Sequence, residues 1–156
     1  MLQANHEGVL RSRYVLEQMG REVACIQMSG WREKAEVTIE GKQTEFYREN
    51  FLNGDYVLKF RDKVYVKAQK PSVWKYEMMI QASDQKFELK PCGLFTNSYE
   101  VFQNEVKIGE ISRTSWFKKN AKIDLPDDWP IVLKVFIFLL VIVLWNRTET
   151  NGGGAG

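Results

Sequence analysis

Apolar and polar residues alternate with a period of two over much of the first 125 residues, the pattern of strands with one buried face. The longest such segment places Trp74, Tyr76, Met78, Ile80 and Ala82 on one face. Shorter segments of the same kind predict further strands at residues 14–18, 22–27, 35–39, 44–51, 56–60, 64–68, 86–89, 99–102, 106–112 and 121–125.

Short polar segments with Gly, Asn or Asp separate these strands, and such residues adopt the positive φ angles of tight hairpin turns. They lie at residues 40–42, 53–55, 61–63, 70–72, 83–84 and 103–105. Because no helical segments alternate with the strands, a Rossmann-type fold is disfavoured. The spacing predicts a meander of about ten or eleven strands that closes into a barrel or sandwich.

One long apolar run, residues 131–145, breaks this pattern near the end of the chain. As a helix it would span roughly 22 Å at about 1.5 Å per residue, whereas a bilayer core is about 30 Å thick. Lys134 lies inside the run, but its ammonium group could reach lipid headgroups, and Trp129 and Trp145 could flank a short membrane anchor. A helix that is apolar on every face lies either in lipid or inside a protein. Length alone leaves both options open.

The strands and the apolar run fit together in one architecture. Asp127, Asp128 and Pro130 mark the start of the predicted helix, because Asp caps free N–H groups and Pro fits a first turn. A barrel of about ten strands has an interior too wide for its own side chains alone. We therefore predict that the apolar helix fills the barrel.

Two segments carry a resemblance to a known family. Residues 99–113 (YEVFQNEVKIGEISR) contain a short polar turn followed by an apolar–Gly–x–Ile strand, and residues 121–130 (AKIDLPDDWP) contain a last strand and an acidic entry to the helix. With the overall plan, they resemble the tubby-like superfamily, which includes tubby C-terminal domains, phospholipid scramblases and LURP-one-related proteins. The resemblance covers roughly residues 9–147.

The resemblance implies a mostly β fold, a closed antiparallel barrel of about 12 strands around a buried hydrophobic C-terminal α-helix. We expect a flexible N-terminus at residues 1–8 and a single domain at residues 9–147, with its central helix at about 130–146. A disordered Gly-rich tail is expected at residues 148–156.

The resemblance also implies a range of functions. Tubby domains bind phosphoinositides through basic side chains, and scramblases act at membranes with calcium through an acidic segment near the helix. LURP-one-related proteins are mostly of unknown activity. Because function varies within a fold, none of these activities transfers to the chain automatically.

The composition argues against several classes of function. The formal net charge is only +2, so we expect no binding to nucleic acid. His6 is the single histidine, and the phosphate-binding, hydrolase and zinc-peptidase motifs are absent. We therefore predict no catalytic residues, no cofactor and no enzyme activity. An enzyme whose site is assembled from unlinked residues is a further alternative.

The cysteines and the start of the chain bear on location. Cys25 and Cys92 are too few for a disulfide scaffold and are predicted to be thiols in a reducing compartment. The first residues lack the apolar stretch of a secretory signal. We expect a cytoplasmic protein.

Three acidic residues, Asp124, Asp127 and Asp128, resemble the acidic segment of scramblases and are candidate metal ligands. Calcium takes six or more oxygen ligands, which three carboxylates followed by Trp129 and Pro130 do not supply. Helix capping explains Asp127 and Asp128 more simply. We therefore predict no metal site.

Two groups of basic residues are candidates for binding anionic lipid headgroups. The candidates in a predicted hairpin are Lys59, Arg61, Lys63 and Lys67, and those around the loop before the last strand are Arg113, Lys118, Lys119 and Lys122. In that loop, Trp116 and Phe117 are predicted to contact the membrane. The alternatives are lysines that protect a sheet edge from pairing and a solvated turn with Trp116 folded inward.

These observations predict a non-enzymatic binding or scaffold protein that binds anionic phospholipid headgroups at a membrane surface. Its location would be cytoplasmic and peripheral to the membrane. The alternative is a small cytosolic β-domain held to a membrane by a single transmembrane helix at residues 131–145.

Overall fold

Strands make up most of the chain, and one helix follows them. The computed structural model describes residues 1–8, 12–29, 33–50, 54–70, 76–93, 97–114 and 119–154, and these contain twelve strands and one helix. The strands are β1 (Leu2–Glu7), β2 (Arg13–Gln18), β3 (Arg21–Met28), β4 (Ala35–Ile39), β5 (Lys42–Arg48), β6 (Tyr56–Phe60), β7 (Lys63–Gln69), β8 (Met78–Ala82), β9 (Gln85–Pro91), β10 (Ser98–Gln103), β11 (Val106–Arg113) and β12 (Ala121–Asp124). The helix α1 spans Ile131–Gly154.

The strands form a closed barrel in which each one pairs antiparallel with its neighbours along the chain. The barrel closes where β1 pairs with β12, with Leu2 opposite Ile123 and Ala4 opposite Ala121. The predicted mostly β fold, a closed antiparallel barrel of about 12 strands, is therefore confirmed. Closure leaves no open sheet edge in the barrel.

The closing strand β1 lies in the segment that the sequence assigned to a flexible N-terminus. Residues 1–8 instead contribute Leu2 and Ala4 to the barrel interior, where both are buried. The physical reason is that β1 fills the gap between β2 and β12, so its backbone groups are paired on both sides.

Five tight hairpins lie at one end of the barrel. They join β2 to β3, β4 to β5, β6 to β7, β8 to β9 and β10 to β11, and each leaves two residues between its strands. In the first of these turns Met19 and Gly20 have φ angles of 53° and 75°, as a tight antiparallel hairpin requires. Because α1 begins at the same end, we call it the helix-entry end, and the opposite end, where Arg147 and Glu149 lie, the far end.

The helix fills the centre of the barrel. Every residue from Leu133 to Trp145 is buried, on all faces of the helix. Rings on the strands pack against it: Tyr14 meets Phe138 with centroids 5.2 Å apart, and Phe46 meets Phe136 at 5.9 Å. The predicted buried hydrophobic helix is confirmed.

The membrane-anchor alternative required a helix that stands apart from the strands. The segment Ile131–Glu149 is long and apolar enough to cross a bilayer, yet most of it is buried inside the protein. The barrel therefore covers the apolar surface that an anchor would present to lipid.

The helix extends past its predicted end near residue 146, through Gly154, so residues 148–154 are helical where a disordered tail was expected. Side chains hold this extension. Thr148 donates a hydrogen bond to the carbonyl of Leu144 at 2.9 Å, and Glu149 forms ion pairs with Arg113 and Lys119 on the barrel.

Gly109 of β11 lies beside the point where the chain leaves β12 and turns into the barrel. A Cβ atom at this position would lie 2.6 Å from the carbonyl oxygen of Asp124 and 2.7 Å from a methyl group of Leu125. The glycine of the apolar–Gly–x–Ile segment therefore permits a close approach between β11 and the connection to α1.

Candidate functional site

The helix-entry end contains a cavity of about 470 Å³ between the strand ends and the start of α1. Its walls combine apolar and polar groups. The lining residues are Gln18, Ile39, Glu40, Lys42, Thr44, Phe60, Tyr65, Asp127, Trp129, Pro130, Ile131, Val132 and Lys134. The volume lies in the range of small-ligand sites, which are mostly apolar with a few placed polar groups.

Three cations surround the aromatic residues of this cavity. The Arg61 guanidinium lies 5.2 Å from the Phe60 ring, and the Lys42 ammonium lies 6.0 Å from the same ring. Lys63 lies 5.3 Å from the ring of Tyr65. Lys42 lines the cavity, and Arg61 and Lys63 lie beside the rings of the lining residues Phe60 and Tyr65.

Exposed apolar side chains lie at the same end. Among the described residues, the large hydrophobic side chains left exposed are Met1, Met19 and Val106, at 52%, 99% and 61%. Met1 precedes β1, Met19 is in the β2–β3 turn and Val106 follows the β10–β11 turn, so all three are at the helix-entry end. The three exposed apolar side chains therefore share one end of the barrel with the cavity.

The far end holds a different cluster, in which a carboxylate ties the helix to the strands. Glu33 accepts hydrogen bonds from Arg147 of α1 and from the hydroxyl of Tyr56, and Arg147 also donates to that hydroxyl at 2.8 Å. Arg48 lies 3.8 Å from the same carboxylate. Burial disfavours the charged form of Glu33, but these hydrogen bonds and the two guanidinium charges outweigh it and lower its pKa.

In a second cluster at the far end, two of the basic residues predicted to bind headgroups form ion pairs with a glutamate. Arg113 and Lys119 both pair with Glu149, at 2.6 and 3.1 Å, and the Arg113 guanidinium stacks 4.6 Å from the ring of Trp145. Burial of Glu149 opposes its ionisation, yet hydrogen bonds from these two cations lower its pKa. Arg113 and Lys119 therefore fasten the helix to the barrel.

His6 lies beside this cluster. Its backbone N–H donates to the side-chain oxygen of Asn120 at 2.8 Å, and its ring meets Tyr14 edge-on at 4.9 Å. Burial lowers the pKa of His6, and the charges of Lys119 and Arg113 lower it further.

The structure distributes the predicted headgroup ligands over both ends of the barrel. Arg61 and Lys63 lie at the helix-entry end, with Lys59 on the adjoining strand β6. Lys67 pairs with Glu49 at 3.2 Å, away from the cavity, and Lys122 lies exposed on β12. Lys118 and the predicted membrane contacts Trp116 and Phe117 lie outside the described residues.

The acidic residues do not assemble a metal site in the described part of the chain, where no group of three or more His, Cys, Asp or Glu is placed to hold an ion. Asp124 and Asp128 are exposed, and Asp127 lies 3.6 Å from the N-terminal amine. The carbonyl of Pro130, rather than an Asp side chain, accepts hydrogen bonds from the first turn of α1, from Leu133 and Lys134. Cys25 and Cys92 are both free.

Sequence reasoning missed Lys42, Met1, Met19 and Val106 as members of a surface. Each is separated from the others by whole strands, and only closure of the barrel brings them to one end. The alternation of Leu2 and Ala4 was the signal that could have placed β1, and with it Met1.

Comparison of the chain with family models, with curated proteins and with solved structures finds no match. The resemblance to the tubby-like superfamily therefore stays a prediction.

Proposed function

We propose that this protein is a non-enzymatic, tubby-like barrel that docks its helix-entry end on a membrane surface and binds anionic phospholipid headgroups there. The observation that supports this proposal is the combination, at one end, of a cavity, three cations and three exposed apolar side chains. The location would be cytoplasmic and peripheral to the membrane.

The unpaired cations favour this end over the other. Arg113, Lys119 and Arg147 at the far end are each paired with a glutamate. Arg61 and Lys63 form no ion pair with any described residue and lie beside the rings of Phe60 and Tyr65, which line the cavity. A basic side chain near an anionic bilayer contributes about 1 kcal/mol, and Arg can bind a phosphate with two parallel hydrogen bonds.

The exposed apolar groups add a second attraction. Met19 stands at the tip of a hairpin, from which its side chain can enter the headgroup layer while the barrel stays in water. Methionine is flexible and adapts to irregular apolar surroundings. Charge would then select the membrane and the apolar tips would retain the protein there.

Vesicle flotation tests the proposal. We expect the protein to float with vesicles of phosphatidylcholine and phosphatidylserine, and not with vesicles of phosphatidylcholine alone. The double variant Arg61→Gln and Lys63→Gln should bind about thirtyfold more weakly, since it lacks two surface charges. Binding should fall as salt is added.

The matched control is the double variant Lys67→Gln and Lys122→Gln, which makes the same change in net charge away from the helix-entry end. It should float like the wild type. Equal loss in both double variants would mean that binding follows net charge alone, and would contradict docking by the helix-entry end.

A further inference from the structure

Lys134 is a buried cation that pairs with none of the described residues. It lies on the first turns of α1 with 1% of its surface exposed, and it lines the helix-entry cavity. Within the described ranges no carboxylate pairs with its ammonium group, and no acceptor forms a hydrogen bond to it. Glu40 and Asp127 are the acidic residues of the cavity lining. Glu40 is exposed, and Asp127 lies against the N-terminal amine.

The start of the helix adds further positive character at the same place. Ile131 and Val132 line the cavity, and their N–H groups precede the first hydrogen bonds of α1, which run from Leu133 and Lys134 to Pro130. No acceptor among the described residues binds these two N–H groups. A helix N-terminus carries roughly half a positive charge and attracts anions.

Two separate effects make it unfavourable to bury a charged ammonium group at the positive end of a helix. Burial removes its hydration, and the helix dipole repels it. An unbranched apolar residue would fill the same space without either cost. The position is therefore better explained by a bound anion than by the packing of the core.

We infer that the helix-entry cavity binds a compact oxyanion, a phosphate monoester or a carboxylate, carried on an apolar chain, with Lys134 and the N–H groups of Ile131 and Val132 holding the oxyanion. This inference rests on the proposed function, since both place the ligand at the helix-entry end, and it names the part of the ligand that enters the cavity.

The apolar side chains that line the cavity are the reason why we expect the oxyanion to be attached to an apolar chain. Ile39, Phe60, Tyr65 and Trp129 line the cavity together with Lys134. An oxyanion on Lys134 would leave its chain against these side chains, at the end of the barrel where Met1 and Met19 are exposed. The sources of such a group are a membrane lipid and a free phosphate, and the two are separable by experiment.

The test is calorimetric titration with octyl phosphate, below its micelle concentration, and with inorganic phosphate. The proteins are the wild type, Lys134→Met, Lys134→Gln and the control Lys122→Met, which removes an exposed charge from β12. We expect octyl phosphate to bind the wild type and the control alike, and both Lys134 variants at least tenfold more weakly, about 1.4 kcal/mol. Lys134→Met without ligand should melt at a higher temperature than the wild type, because its buried charge is gone.

The outcomes separate the two claims. Unchanged binding of octyl phosphate in the Lys134 variants, or a lower melting temperature of Lys134→Met, overturns the inference. If inorganic phosphate binds as tightly as octyl phosphate, the claim that the ligand carries an apolar chain is overturned, and free phosphate is identified as the ligand. If the wild type floats with anionic vesicles but does not bind octyl phosphate, the inference fails and the proposed function stands. If it binds octyl phosphate through Lys134 but does not float, membrane docking fails and the cavity site stands.

Discussion

The sharpest consequence of a helix inside a barrel is that a helix residue controls the stability of the strands. Phe138 is the best position for this test, because its side chain is fully buried near the middle of the apolar segment. Its ring contacts Tyr14 of β2 edge-on at 5.2 Å and Trp145 of the same helix at 6.1 Å. Phe138→Ala removes both contacts and leaves a cavity between the helix and the barrel wall.

The expected magnitude follows from these contacts. Replacement of a buried Phe by Ala costs about 3–5 kcal/mol, and each aromatic pair adds about 0.5–1.5 kcal/mol beyond its buried area. The cost of the replacement already includes lost ring contacts, so the two pairs place the expected loss in the upper part of that range, at about 4–5 kcal/mol. In a domain of this size, about 2–4 °C of melting temperature is lost per kcal/mol, so the midpoint should fall by about 8–20 °C.

The assay is thermal unfolding followed by circular dichroism of the strands, in buffer without lipid or detergent. Val106→Ala is the control, since Val106 is exposed and its loss should change stability by less than about 0.5 kcal/mol. If Phe138→Ala and the wild type unfold at the same temperature, the helix does not support the strands and the reasoning is refuted.

Two further predictions concern the close approach at Gly109 and the far end of the barrel. Gly109→Ala should lower the urea midpoint by more than Gly41→Ala, because a Cβ at Gly109 meets the backbone of Asp124, whereas the cost at Gly41 is only that of its positive φ of 80°, with nothing within 4 Å. An equal or smaller loss at Gly109 would contradict the packing at this crossing. Stability should fall as the pH is lowered through about 6.5, because burial and nearby cations lower the pKa of folded His6 while the unfolded chain still takes up the proton. It should fall again below about pH 4.5, because Glu33 and Glu149 take up protons in the unfolded chain while the ion pairs of the folded protein, which lower their pKa, keep them ionised. Urea unfolding of the wild type and of His6→Gln checks both steps, since the variant should lose only the first; a first step that persists in His6→Gln would exclude His6 as its source.

Much of the fold could be predicted because apolar and polar residues alternate along most of the strands. Residues 35–39 and 56–60 were assigned to strands from alternation, and β4 and β6 have these bounds. Alternation is a local property, so it locates strands well. In β1 the alternation is limited to Leu2 and Ala4, and the strand depends on partners from both ends of the chain.

The helix shows where length arguments fail. The apolar run of residues 131–145 is short for a membrane span, but the segment Ile131–Glu149 is long enough. Burial inside the barrel, rather than length, is therefore what separates a core helix from an anchor. The sequence also could not locate the end of α1, because its last residues, including Gly152 and Gly154, disfavour helix while the ion pairs of Glu149 favour it.

The candidate site was the least predictable part. Arg61 and Lys63 could be named from their sequence, whereas Gln18, Lys42 and Trp129 join them only because alternate hairpins meet at one end of a closed barrel. The sequence leaves three places open for Lys134: lipid headgroups in the anchor alternative, a polar mouth of the barrel, or a pair with an acid such as Glu110. Its place in the cavity follows from the position of the helix in the barrel.

The central claim, that the apolar helix is the core of its own barrel, is tested most directly by the circular dichroism spectrum of a chain that ends at Pro126. We predict that this chain, which lacks the buried segment from Leu133 to Trp145, loses the β spectrum and the cooperative thermal transition of the full-length protein. A folded, cooperatively melting β-domain made by the shortened chain alone would contradict the claim.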